Sequence, residues 1–249
     1  MGSMMNSAPR FPPEWTDPPP GLFPQAGEVV LVVAGLDVPP RRLAALRDDF
    51  SPRERERYAS FAHDQHRFRW GTARGTLREV LGSALGVAPA EIAFAYGRHG
   101  KPEIAGSPLR FNISHSGGLA LIALSLSEVG VDVELPRPRR SDDIARRFFT
   151  PGENQRLFAL QQPQRADAFF RLWTCKEAFL KLTGEGLSRS TRSFEVAMDS
   201  GGARLLWAER IPDAAARYSL HPLEVGEPCR AALAAEGQHL ILRRYRWRD

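Results

Sequence analysis

The chain has 249 residues, 43% hydrophobic and 25% charged, with a formal charge of +5 and a pI near 9.7. Those proportions are ordinary for a folded domain and leave room for a sizeable core. No apolar run reaches the length of a membrane-crossing helix, and Cys175 and Cys229 are too few for a disulfide framework and wrongly spaced for a zinc cluster.

Residues 1–26 hold FPPEWTDPPPGLFP, a Pro-rich arm that excludes both helix and central strand. Its aromatics Phe11, Trp15 and Phe23 suggest packing against the body. The start lacks the basic-then-apolar pattern of a leader, so a cytoplasmic protein is expected. EVVLVVAGL then reads as a buried strand. Ser51-Pro52 opens a short helix, a longer one follows, and Gly86 stops it. EIAFAY, the loop GRHGKPEI, RFNIS and LALIALS follow; RFNIS alternates, and LALIALS is the continuous apolar run of a covered strand.

VGVDVEL begins a second half. Side chains alternate along a strand, so the valines share one face while Asp132 and Glu134 share the other. Thr150-Pro151-Gly152-Glu153 is a capping box with Pro at the first helical position. A helix over about 164–182 ends at Gly184, and strands are expected at SFEVAM, ARLLWAER, RYSLH, CRAALAAE and HLILRRYRWR. The expected fold class is α+β, with two similar α/β lobes over 27–127 and 128–249 joined near 126–130.

On the second long helix, Phe169, Leu172, Trp173, Phe179 and Leu180 gather on one arc, with Lys176 and Glu177 inside it and Lys181 at its edge. A charge on an apolar face is costly unless it is paired or bound. One reading is a Glu177–Lys181 pair at i,i+4 beside a snorkelling Lys176. The other joins Glu177 to Asp132 and Glu134 as a three-carboxylate site suited to Mg²⁺, which prefers hard oxygen ligands.

Taken in order, SPRERERYASF through RWGTARGTLR, GRHGKP, FNISHSGG, VGVDVE and LWTCKEAFLKLTGEGL resemble the motifs of Sfp-type 4′-phosphopantetheinyl transferases, from about residue 28 to the end. The resemblance implies a fold of two pseudo-twofold-related lobes. It also implies Mg²⁺-dependent transfer of the phosphopantetheine arm of coenzyme A (CoA) to a serine of an acyl or peptidyl carrier protein, with adenosine 3′,5′-bisphosphate released. Residue by residue, it implies Asp132, Glu134 and Glu177 as metal ligands, with Glu177 also the proposed base toward the carrier serine. Lys181 is implied at the pyrophosphate, with Lys176 as its motif neighbour. Ser114, His115, Lys101 and Pro102 of the GKP loop, Arg69 and Arg57 are implied along the CoA cleft.

Each of these has a plainer reading: a solvated helix face for Arg69, Arg74 and Arg78, loop punctuation for Lys101, a core position for Trp173. His63, His66, His99, His221 and His239 are read as structural. Glu54 stands where one relative carries lysine, and Trp70 replaces a small polar residue, which bears on the adenine side of the cleft. The positive balance admits nucleic acid, an acidic protein or a phosphorylated small molecule. Two rivals follow: a basic phosphate- or nucleic-acid-binding module drawing on RERER and RRYRWR, and an inactive CoA-binding homologue. The three acids argue against the first, because carboxylates repel a phosphate backbone. A monomer without nucleic-acid or membrane partners is expected.

Overall fold

The computed structural model describes residues 11–97, 100–136, 141–186, 189–199 and 202–248. Arg98 and His99 of the GRHGKP loop and Leu187 of the GEGL run fall outside them. The chain runs β1 (Glu28–Gly35), α1 (Pro40–Asp48), α2 (Pro52–Ala59), α3 (Asp64–Leu85), β2 (Phe94–Tyr96), β3 (Pro102–Ile104), β4 (Arg110–Ser116), β5 (Leu119–Ser125) and β6 (Val129–Glu134). Then come α4 (Ser141–Phe148), α5 (Pro151–Phe158), α6 (Gln164–Thr183), β7 (Phe194–Asp199), β8 (Gly202–Ala208), α7 (Ala214–Arg217), β9 (Tyr218–Leu223), β10 (Arg230–Glu236) and β11 (Ile241–Trp247).

Two sheets stack face to face, ordered β11-β1-β5-β4 and β6-β10-β9-β8-β7, with β2 and β3 as a separate small pair. Strand alternation builds the layers. Val29, Leu31 and Val33 of β1 and Leu119, Leu121 and Ala123 of β5 face Val129, Val131 and Val133 of β6 and Leu233 of β10 in one shared apolar core. The opposite face of the first sheet, with Val30, Val32, Ile122 and Leu124, packs on Leu77, Val80 and Leu81 of α3. The opposite face of the second, with Leu220, Ala232 and Ala234, packs on Phe169, Phe179 and Leu180 of α6. The order of layers is therefore helix, sheet, sheet, helix, which is the α+β arrangement of two comparable halves expected from the sequence.

Two features refine the expected boundaries. The final strand β11 crosses back and pairs in parallel with β1, so 241–247 lies in the sheet of the first half rather than in the second. The Pro-rich arm is strapped down. Trp15 is buried and its indole N–H donates to the carbonyl of Glu224 at 2.7 Å, while Thr16 bridges Tyr245 on the outer edge of β11. A covered edge offers no backbone groups to a stray strand.

The helix ends follow their signals. Ser51 and Thr150 each cap a helix in a full capping box. Gly86 and Gly184 close α3 and α6 in the left-handed conformation at φ 69° and 71°, which glycine adopts without a Cβ penalty.

Candidate active site

Gly130, Asp132 and Glu134 share the face of β6 that α6 covers. A Cβ on Gly130 would overlap the backbone of Ala178 and Leu182. The glycine therefore lets α6 lie directly on the strand, and this close approach brings the last turns of α6 to the acids.

Lys181 Nζ donates to Asp132 Oδ1 at 2.6 Å and to Ser114 Oγ at 2.9 Å. The Ser114 hydroxyl donates to the same carboxylate oxygen at 2.9 Å. Asp132 Oδ2 is buried and has no hydrogen-bond partner. Burial pushes the Glu177 carboxyl above its usual range, and the neighbouring charge of Asp132 adds to that push; Lys181 opposes it and Glu134 adds a little more. Asp132, Glu134 and Glu177 are thus electrostatic neighbours, as the sequence suggests. Among the described residues, though, no three acid, histidine or cysteine side chains close on a common point. The Glu177–Lys181 pair is replaced by Lys181–Asp132. An orphaned buried carboxylate oxygen beside two further hard-oxygen donors fits a cation such as Mg²⁺.

The histidine and arginine expected along the cleft come from the helix side of the first sheet. His115 keeps an exposed edge, but partial desolvation, then the charges of Lys181 and His66, hold its pKa below that of an ordinary imidazole. His66 on α3, read from the sequence as structural, therefore belongs to this neighbourhood. Arg69 is gripped by Asp37 through two bonds of 2.8 and 3.0 Å, beside Gly118. Arg57 lies exposed over the Phe61 ring, and Trp70 packs against Phe50 and Phe61.

Two expected placements change, those of Lys176 and Lys101. Lys176 does not reach the cleft: fully buried, its ammonium bonds Glu153 Oε1 at 2.7 Å and the carbonyl of Phe194 at 3.0 Å. It lies on the apolar side of α6, as the periodicity indicates, and ionic pairing replaces the expected snorkelling. Lys101 commits its three ammonium donors to Glu128 Oε2 (2.7 Å), the Val129 carbonyl (3.1 Å) and the Leu182 carbonyl (3.0 Å). That pins its loop to the ends of β6 and α6 rather than presenting a free cation. Pro102 starts β3 and pairs with Tyr96. Glu54 is buried on Arg74 and Arg78, which explains why these two arginines are not a solvated face.

Sequence reasoning missed Asp37 and Ser116. The Ser116 hydroxyl donates to Glu134 Oε2 at 3.0 Å. A polar residue at every second place of FNISHS is the signal that could have found it.

A cavity of about 650 Å³ opens past the end of α6, among Lys101, Glu128, Thr183, Arg189, Glu209 and Tyr218. It is lined by none of Asp132, Ser114, His115 or Glu177, and two of its cations already pair with Glu128 and Glu185. The acid cluster combines an unpartnered buried oxygen with a raised carboxyl, which makes it the candidate site.

The family described as ACPS, 4′-phosphopantetheinyl transferase superfamily, matches residues 128–234, from the start of β6 almost to the end of β10. The 4′-phosphopantetheinyl transferase HetI of Nostoc sp. is 38% identical over 229 residues, covering 90% of this chain and 94% of that protein. The 4′-phosphopantetheinyl transferase Sfp of Bacillus subtilis is 33% identical over 188 residues, covering 74% of this chain and 81% of its own. With likeness of that depth sustained along nearly the whole length and across the strand and helix that form the acid cluster, this chain belongs to the 4′-phosphopantetheinyl transferase superfamily.

Proposed function

We infer that the protein transfers the 4′-phosphopantetheine arm of CoA to a serine hydroxyl of an acyl or peptidyl carrier protein, leaving adenosine 3′,5′-bisphosphate. The observation that carries this reading is Asp132: one oxygen held by Lys181 and Ser114, the other buried without a partner, in a chain of this family.

The carrier serine oxygen attacks the phosphorus that bears the pantetheine. The bond from that phosphorus to the bridging oxygen of the pyrophosphate breaks, and the electron pair leaves with adenosine 3′,5′-bisphosphate. Such reactions depend on charge neutralisation and positioning more than on covalent help. The Lys181 ammonium, now bonded to Asp132 and Ser114, would face the pyrophosphate and offset the charge that develops on the departing group. Glu177 is the candidate base for the serine proton, directly or through water; a carboxylate beside a metal is a poor base in water, so this role depends on local geometry. His115, held toward its neutral form, would offer a ring N–H, and Arg69, oriented by Asp37, a guanidinium to the phosphates of CoA. Asp132, Glu134 and Glu177 would hold Mg²⁺, which when bound neutralises the pyrophosphate as a Lewis acid.

The RRYRWR run supports this reading over nucleic-acid binding, because much of its charge is paired within the chain. Arg243 pairs with Glu28, and Arg246 and Arg248 both pair with Asp17. Two free thiols accord with a reducing cytoplasmic setting. Both sides of the cleft come from one chain, which supports a monomer.

The test is transfer of a fluorescent CoA arm onto a panel of apo carrier proteins with and without Mg²⁺. Labelling of at least one carrier, lost on chelation, is expected. No labelling, together with DNA binding that falls steeply with salt, would establish the nucleic-acid alternative. In Glu177→Ala, CoA binding is expected to persist while transfer is lost; equal loss of both would remove the base assignment.

A further inference from the structure

Strand β6 is the edge of its sheet. One side pairs with β10, and the other would leave alternate backbone N–H groups without partners inside the protein, a cost that folded chains avoid. No strand supplies the missing carbonyls; side chains of β4 do. The Val131 N–H donates to Asn112 Oδ1 at 2.9 Å, the Val133 N–H to Ser114 Oγ at 3.3 Å and the Leu135 N–H to Ser116 Oγ at 3.0 Å. Period two on β4 meets period two on β6, and the two sheets are joined by a ladder of side-chain rungs.

The rungs are not chemically equal. A backbone N–H can only donate, so each serine oxygen accepts there and keeps its own proton for another acceptor. Ser114 spends that proton on Asp132 and Ser116 spends its proton on Glu134. The remaining rung, Asn112, stands opposite Val131, on the side of Gly130, which has no carboxylate to receive a proton. Hydroxyls occur where the adjoining strand residue is an acid, and an amide where it is a glycine. Capping an edge needs only an acceptor, so the hydroxyls answer a second demand: orienting the acids. Ser114 also accepts from Lys181, so its donor and both lone pairs are committed.

We propose that Ser116 is a positioning residue for Glu134, the last rung of a side-chain ladder by which β4 sets the register of β6 and aims its carboxylates. Where Glu134 serves as a metal ligand the inference rests on the function proposed above; the ladder itself does not. The hydroxyl fixes Glu134 Oε2 and thereby turns the other oxygen. Outer partners of ligating carboxylates are worth about 10–100-fold in metal affinity.

The experiment follows single amides by NMR hydrogen exchange in the full chain and measures Mn²⁺ binding directly by calorimetry in the absence of CoA. In the wild type the Leu135 amide should exchange slowly, although no strand pairs with that edge. In Ser116→Ala it should become fast while Val131 and Val133 stay protected. Mn²⁺ affinity should fall about tenfold, kcat should fall more than KM for CoA rises, and Ser116→Thr, which keeps the hydroxyl, should restore all three. Fast exchange at Leu135 in the wild type overturns the ladder even if the alanine variant does not fold. Unchanged Mn²⁺ affinity in Ser116→Ala overturns the positioning role. A wild type that binds no Mn²⁺ overturns the metal reading of Glu134 and leaves the Leu135 exchange to decide the ladder.

Discussion

Lys176 and Lys181 stand on one helix, little more than a turn apart, and each bonds a carboxylate, yet the two pairs are built to opposite ends. At Lys176 every group is satisfied. Glu153 Oε1 accepts from Lys176 and from the Val196 N–H, and Oε2 accepts from the Thr150 N–H. Neither side chain of the pair meets solvent. At Lys181 the ammonium is partly exposed, Asp132 keeps an orphaned oxygen, and Glu177 is pressed toward its protonated form by burial and by Asp132. A sealed, saturated pair fixes α5, α6 and β7 together. An open, unsaturated one holds polarity in reserve for a ligand.

The comparison breaks most visibly at Asp132. Asp132→Asn keeps the size and the hydrogen bond to Ser114 but removes the charge that Lys181 and a cation would face. Carrier labelling should fall on the order of 10³-fold, the loss typical when one group of an electrostatic site is removed. The thermal melt should stay at or above that of the wild type, since the mutual repulsion with Glu177 is relieved. A large drop in melting temperature would make the pair at Lys181 structural like its neighbour.

The reverse pattern is expected at Lys176. Lys176→Met leaves Glu153 buried and without its counter-charge, which should destabilise the fold by about 3–5 kcal/mol. Denaturant unfolding measures this directly. Adding Glu153→Gln should recover part of the loss, because it removes the uncompensated buried charge while keeping an amide oxygen for the backbone N–H groups that Glu153 caps. The double variant should keep near-normal kcat. A double variant that is stable but inactive would return Lys176 to the reaction.

How far the sequence could lead is clear from this same helix. Its length, its glycine stop and the burial of Lys176 are all legible, because a 3.6-residue period is a local property. The capping box TPGE places Glu153 with one of its oxygens. The partner of its other oxygen is not legible, since Lys176 meets it through tertiary packing that no spacing encodes. The acids of VGVDVEL are legible as a shared face and gain meaning from the motif series. The rungs of β4 and the Asp37–Arg69 grip are long-range contacts and stay hidden. Helix α1, begun by Pro40 with Leu43 and Leu46 as its buried residues, offers too short a periodic run. The three-residue β3, with a proline in it, reads as loop.

The smallest effect concerns a sealed pair in the first half of the chain, and it sharpens the contrast by pH. Burial alone would raise the Glu54 carboxyl, but the Arg78 hydrogen bonds, with Arg74 and the Ser51 N–H, overcome it and hold the group below the usual glutamate range. A carboxyl with a lowered native pKa binds protons less readily folded than unfolded. Its stabilisation is therefore complete above the ordinary glutamate value and drains away as pH falls through the native one. Glu54→Gln should cost about 1.5–3 kcal/mol at neutral pH, the worth of hydrogen bonds to charged partners. The gap to the wild type should close only in strong acid, below the unperturbed glutamate value. Urea unfolding of both proteins from about pH 7 to about pH 3 gives the two curves. Convergence well above the usual glutamate range would mean that Arg74 and Arg78 do not hold Glu54 as a sealed pair. The distinction between saturated and reserved charge would then rest on α6 alone.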